Sequence, residues 1–169
     1  IDLVLQSCEA IAEAHALGIV HRDLKPANLF LTQHADGTPL VKVLDFGISL
    51  MQPTLGASET RITTTQMIMG TPCYMSPEQL QSTRDVDERT DIWALGVILH
   101  ELLAGTPPFG GDTVPEICAN ILKEPPPPLG ALRGDIPEAL EAIVLRCLEK
   151  DREARFDGVG PLAVALAPF

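Results

Sequence analysis

Residues 21–30 read HRDLKPANLF, and the fold turns on how that stretch is understood. A carboxylate (Asp23), a cation (Lys25), a proline (Pro26) and an amide (Asn28) crowd together with apolar segments on both sides. Charge taken out of water is expensive unless it is paired, so charged side chains between two buried segments call for a chemical reason. Upstream, Val4, Cys8, Ile11 and His15 recur at helical spacing, and Gly18 ends that helix. Downstream, NLFLT predicts a short strand, QHADGTP a turn and LVKVLDF a second strand, together a hairpin.

Beyond the hairpin the texture changes twice. Residues 48–76 are rich in Thr, Ser and Gly and hold no period, so they predict a long loop, and long loops in compact domains are usually functional or disordered. TDIWALGVILHELLAG is then apolar on nearly every face, the mark of a helix at the centre of a domain, ended by Gly105 and Pro107. DTVPEICANILK predicts a shorter helix with Asp112 as N-cap, and EPPPPLG a stiff exposed connector. IPEALEAIVLRCLEK predicts a helix with Pro137 in its first turn, and a last helix covers about Val159 to Leu166. One hairpin, one long loop and mostly helices amount to an α+β domain without internal repeats.

Composition narrows the function classes. A chain of 169 residues with 46% hydrophobic content suffices for one domain, or the larger part of one. The formal net charge of -11 argues against a nucleic-acid binder held by phosphate contacts. Cys8, Cys73, Cys118 and Cys147 are far apart and form no CxxC pair, so neither a zinc site nor a disulfide framework is indicated; they read as small buried residues. No signal peptide is evident, and no apolar run is long enough to span a bilayer. Because Ile1 already lies in a helical pattern, the chain reads as a fragment.

Phosphoryl transfer from ATP would explain the crowded stretch. The attacking hydroxyl needs a proton acceptor, the phosphates need divalent metal and the transferred group needs a nearby cation. Magnesium prefers hard oxygen ligands. Asp23, Lys25, Asn28 and Asp45 meet those demands from strand and loop ends. Since Asp and Asn are common in loops, the residue types alone leave this as one reading among several.

The order of motifs decides between them. HRDLKPAN, then DFG at Asp45 to Gly47, then SPE at Ser76 to Glu78, followed by DIWALG and DREARF, resembles the protein-kinase signature. The resemblance covers essentially the whole chain and corresponds to the C-terminal lobe of the catalytic domain. It implies a protein-kinase-like fold, mainly helical, with the hairpin at the catalytic and metal site. It implies Asp23 as catalytic base, Lys25 as the cation on the transferred phosphate, and Asn28 and Asp45 as ligands of magnesium or manganese. Phe30 would floor the adenine site, with Leu29 and Leu31 packing beside it. His21 and Phe46 resemble members of a stacked apolar spine, and Asp91 its anchor. Glu78 and Arg155 resemble a buried ion pair, and His15 a satisfied core histidine.

Arg22, directly before Asp23, resembles the class of kinases controlled by activation-loop phosphorylation, where a phosphate pairs with that arginine. Of Ser58, Thr60, Thr63, Thr64 and Thr65, the spacing before GTP favours Thr63 and Thr65. Thr71 resembles the threonine that bonds the catalytic Asp and Lys. Lys25 and GTPCYMSPEQL point to Ser/Thr specificity, and Ser76 departs from the Ala most frequent in the family. The style is that of bacterial kinases of the eukaryotic-like type, which implies protein substrates and a cytoplasmic kinase domain, whether or not its parent protein is tethered to a membrane.

Nothing in the sequence resembles the N-terminal lobe: no Gly-rich loop, strand lysine or partner glutamate. The chain alone is therefore expected to bind ATP weakly, to transfer phosphate barely or not at all, and to expose an apolar face. The alternative is a truncated, pseudokinase-like module that binds proteins without catalysis. A small-molecule phosphotransferase of related fold is disfavoured by HRDLKPAN and the SPE segment.

Overall fold

The computed structural model describes residues 1–46, 72–81 and 86–169. Helix α1 (Asp2–Ala16) buries Val4, Ser7, Cys8, Ile11 and Ala14, the stripe expected from the three- and four-residue spacing. It closes where Gly18 takes a left-handed φ of 73°, its N–H bonded to the carbonyl of His15 at 2.9 Å.

Strands β1 (Leu29–Gln33) and β2 (Pro39–Val43) form an antiparallel hairpin in which Leu29 faces Val43 and Gln33 faces Pro39. Asp36 fixes the turn: its Oδ1 accepts from the N–H of Thr38 at 2.9 Å and from its hydroxyl at 2.7 Å. Gln6 of α1 ties the hairpin to the helices, accepting from the N–H of Val41 at 2.8 Å and donating to the carbonyl of Pro39 at 3.2 Å. Strand alternation sends Leu29 and Leu31 to one face and Phe30 to the other. Leu29 and Leu31 line a groove with Leu3, Val4, Val41, Ile98 and Leu102. Phe30 is therefore not flanked by them in one layer, as the sequence had suggested.

After α2 (Pro77–Gln81), α3 (Arg89–Ala104) runs through the centre, with every residue from Thr90 to His100 buried. Gly105 stops it at φ 81°, donating to the carbonyl of Glu101 at 2.8 Å. Trp93 stacks on Phe109 at 5.5 Å between centroids, 8° from parallel. Helix α3 meets α6 (Glu138–Cys147) at Gly96, where an added Cβ would stand 2.5 Å from that of Cys147. Helix α7 (Val159–Leu166) packs on α1, within the bounds read from the sequence.

Three local expectations are corrected. Helix α4 (Val114–Lys123) is capped by Thr113, not Asp112. The Thr113 hydroxyl accepts from the N–H of Glu116 at 3.3 Å, and the Glu116 carboxylate accepts from the N–H of Asp112 at 2.9 Å. This start puts Pro115 in the first helical turn, where a missing N–H costs nothing. The proline connector does not run on through Gly130; α5 (Leu129–Leu132) begins directly after Pro128 and buries Leu129 completely. Pro137 is the N-cap of α6 and lies just before its first turn. Cys8, Cys73 and Cys147 are buried, as expected, and Cys118 is half-buried. Burial, aided by Glu9, pushes the Cys8 thiol up to about 12, so it behaves as a small apolar side chain. Among the described residues, no helix is long and apolar enough to cross a membrane.

Candidate active site

The loop between α1 and β1 hangs from one carboxylate of the central helix. Asp91 is wholly buried near the start of α3. Its Oδ2 accepts from the N–H of His21 at 2.9 Å and from Nε2 of His15 at 2.8 Å, and its Oδ1 accepts from the N–H of Arg22 at 2.9 Å. A buried carboxylate so supplied with donors is a fixed point in the molecule. The backbone needs one, because Arg22 sits at φ 67°, a left-handed conformation that is strained for a side chain of its size. His15 is thereby a satisfied core histidine, as its place on α1 had suggested.

His21 links the two ends of the site. Its Nε2 lies 2.9 Å from the carbonyl of Leu44, and the N–H of Asp23 donates to its Nδ1 at 3.3 Å. A carbonyl only accepts and an amide N–H only donates, so these contacts use the ring with Nε2 as donor and Nδ1 as acceptor. The Phe46 ring lies against it at 4.9 Å, tilted 52°. The two side chains that the resemblance sets together are thus in contact, tilted and not parallel, with the loop on one side and the chain after β2 on the other.

Asp23 stands at the mouth. Lys25 Nζ donates to its Oδ2 at 2.8 Å. The Asn28 amide donates to the Asp23 carbonyl at 2.8 Å and, at 3.3 Å, to Oδ2. These bonds close the loop on itself, and Pro26 opens the 3-10 turn Pro26–Asn28 that makes the closure possible. With its N–H groups committed to Asp23, the Asn28 side chain keeps its oxygen for another partner. Leu44 N–H bonds the Asn28 carbonyl at 2.8 Å, which brings the start of the DF segment to the loop. The next residue, Asp45, is exposed and also left-handed, at φ 56°. Its carboxylate and the Asn28 oxygen are hard donors, as magnesium requires. Among the described residues no group of three or more His, Cys, Asp or Glu side chains forms a metal cage. Two protein ligands suit an ion that keeps water and takes phosphate oxygens for the rest of its shell.

The ion pair read from sequence is present. Arg155 donates through both terminal nitrogens to the Glu78 carboxylate, at 2.7 and 2.8 Å, through Nε to the carbonyl of Glu149 at 2.8 Å, and through Nη1 to that of Arg89 at 2.9 Å. Burial pushes the Glu78 carboxyl up, but the hydrogen bonds and charge of Arg155 outweigh it and hold the group below the usual carboxylate range. Tyr74 donates to Glu101 at 2.6 Å, and its own burial, that bond and the Glu101 charge push the phenol well up. Neither that contact nor the bonds of Gln79 were visible in the sequence. Gly47, Thr63, Thr65 and Thr71 lie outside the described residues.

Comparison with known proteins agrees with this geometry. A family model described as "Protein kinase domain" matches residues 2–160. Serine/threonine-protein kinase Pkn1 of Myxococcus xanthus is 42% identical over 98% of this chain and 23% of its own length. A probable serine/threonine-protein kinase of Clostridium acetobutylicum is 38% identical over 96% of the chain and 23% of its own length. PknB of Mycolicibacterium smegmatis is 36% identical over 92% of the chain and 24% of its own length. The chain thus spans about a quarter of the length of the curated relatives it matches. A helical α+β frame with the hairpin at its loop, and matches of this extent, place the chain in the protein kinase family, among relatives named as serine/threonine-protein kinases.

Proposed function

We propose that these residues are the catalytic-loop half, the C-terminal lobe, of a protein kinase domain that transfers the γ-phosphate of ATP to Ser or Thr hydroxyls of proteins. The observation that carries this is the Asp23 carboxylate, held by Lys25 Nζ at 2.8 Å while Asn28 pins the Asp23 carbonyl at 2.8 Å. In that setting Asp23 orients the substrate hydroxyl and accepts its proton. Lys25, within reach of the same oxygen, offers positive charge to the phosphoryl group in transit. Asn28 and Asp45 would hold magnesium, which offsets phosphate charge when bound. Phe30, 55% exposed on the outer face of β1, is an apolar surface of the kind an adenine ring stacks on.

Regulation by phosphorylation belongs to the same reading. Arg22 Nε is buried without a hydrogen-bond partner among the described residues, on a residue next to the proposed base. A phosphate on Thr63 or Thr65 would bring about −1.5 to −2 charge and strong acceptor oxygens to such a guanidinium.

The 169 residues carry no Gly-rich loop to cover the phosphates, so ATP binding would depend on a lobe supplied from outside them. The isolated chain is expected to show no autophosphorylation with radiolabelled ATP. A longer natural polypeptide carrying it is expected to transfer phosphate, and Asp23→Asn to lower kcat about 10²–10⁴-fold. Transfer indifferent to Asp23→Asn would sink the assignment of the base. Autophosphorylation by the isolated chain, abolished by that substitution, would sink the dependence on a second lobe.

A further inference from the structure

Ser76, the departure from the family's usual alanine, begins a local pattern that reaches the proposed base. Ser76, Pro77, Glu78 and Gln79 open α2 as a capping box. The Gln79 N–H points to the Ser76 hydroxyl at 3.4 Å, and Gln79 Oε1 accepts from the Ser76 N–H at 3.0 Å. The Ser76 hydroxyl also bonds that of Thr90 at 2.8 Å, which fastens the box to α3. A glutamate would serve such a box equally well. A glutamine has one thing more, an NH₂ group, and here Nε2 donates to the carbonyl of Arg22 at 2.6 Å. The amide orientation is not open to exchange, because the Ser76 N–H can only donate and the Arg22 carbonyl can only accept.

The bonded carbonyl belongs to the peptide that joins Arg22 to Asp23. Asp91 holds the N–H side of Arg22, at 2.9 Å, and Gln79 holds its carbonyl side. Between them they fix both ends of a residue kept at φ 67°. We propose that Gln79 is a positioning residue for phosphoryl transfer: its amide sets the orientation of the Arg22–Asp23 peptide, and through it the Asp23 carboxylate, from the segment that follows the activation loop. This deepens the kinase reading and rests on it.

The test compares Gln79→Glu, Gln79→Met and, as a control on the exposed end of the same helix, Gln81→Ala, in the longest natural polypeptide that carries this chain. Gln79→Glu keeps the acceptor for the Ser76 N–H but sets a carboxylate oxygen, in place of a donor, against the Arg22 carbonyl. It is expected to lower kcat about tenfold at pH 8, with KM for ATP and for a peptide substrate within about twofold of wild type. The deficit relative to wild type is expected to shrink toward pH 5.5, because a protonated carboxyl regains a donor for the Arg22 carbonyl. Gln79→Met is expected to show the same fall without recovery at low pH, and Gln81→Ala no fall. A Gln79→Glu enzyme with wild-type kcat, or with a deficit that pH does not change, overturns the proposal. If the wild-type polypeptide transfers no phosphate, the kinase reading fails, and amide hydrogen exchange still decides the tether. Gln79→Glu should then speed exchange at residues 21–25 about tenfold and leave α3 unchanged; equal exchange overturns it.

Discussion

Arg155 is the side chain on which the anchoring of α2 depends. It is 1% exposed, and its charge is tolerable only because Glu78 and backbone carbonyls occupy its donors. Glu78→Ala would strand that charge in the interior and is expected to cost about 3–5 kcal/mol, read by urea denaturation at pH 7. Replacing both partners with apolar residues of similar size is expected to cost far less, because no charge is then left buried. The pair also fixes a pH response. Since the folded state holds the Glu78 carboxyl below its ordinary value, its contribution is complete above the unfolded pKa and is lost as pH falls through the folded one. Acid titration of wild type against the doubly apolar variant should show that loss only in wild type. At this scale the motifs pointed to residues that the structure brings together: Asp23 with Lys25 and Asn28, Glu78 with Arg155, and Asp91 with the backbone of Arg22. Asp23, Lys25, Asn28, Asp91, Glu78 and Arg155 are recognisable from their motifs alone. The sequence was silent about Gln79, because an amide's role is decided by which of its two ends meets which backbone group. The signal on offer was Ser76 three residues before Gln79, a spacing that predicts a capping box and nothing beyond it.

Among the elements, those with an unbroken pattern were the legible ones. Helix α1 could be read from its apolar stripe, α3 from its lack of a polar face and α7 from its closing run of small and apolar residues. The misreadings fall where two candidates compete locally. Asp112 and Thr113 are both good caps, and the position of Pro115 chose between them. The turn that became α5 owes its form to the burial of Leu129, which prolines next to it do not announce. The spacing of α3 from α6 was equally hidden, since Gly96 looks like a tolerated defect in a helix. In the structure it is the contact itself. Gly96→Ala would raise helix propensity yet drive a methyl into Cys147, against Cβ and not a flexible tip. It is expected to destabilise the fold by about 1–3 kcal/mol, measured as a lower urea midpoint. A gain in stability would mean that the two helices can part at no cost.

For the molecule as a whole, the groove of about 340 Å³ between α1, β1 and α3 is an open surface lined mainly by apolar side chains. Leu31 and Leu102 remain 56% and 61% exposed there. The isolated chain is expected to bind an environment-sensitive dye such as anilinonaphthalene sulfonate and to self-associate as concentration rises. Leu31→Lys is expected to reduce both, and an unchanged dye signal would locate the sticky surface elsewhere. Net charge of -11 works against that association at low salt and less so as salt screens it. The suspension of the Asp23 loop from Asp91 has a thermal consequence. The loop's backbone is fastened to α3, whose residues from Thr90 to His100 are all buried, so its geometry is tied to the core. While both the Asp91 and the Gln79 bonds hold, heating is not expected to free the Asp23 region ahead of the centre of the domain. The order of this loop and the tertiary structure are then expected to be lost in one cooperative event, with no temperature window in which a folded molecule carries a slack loop.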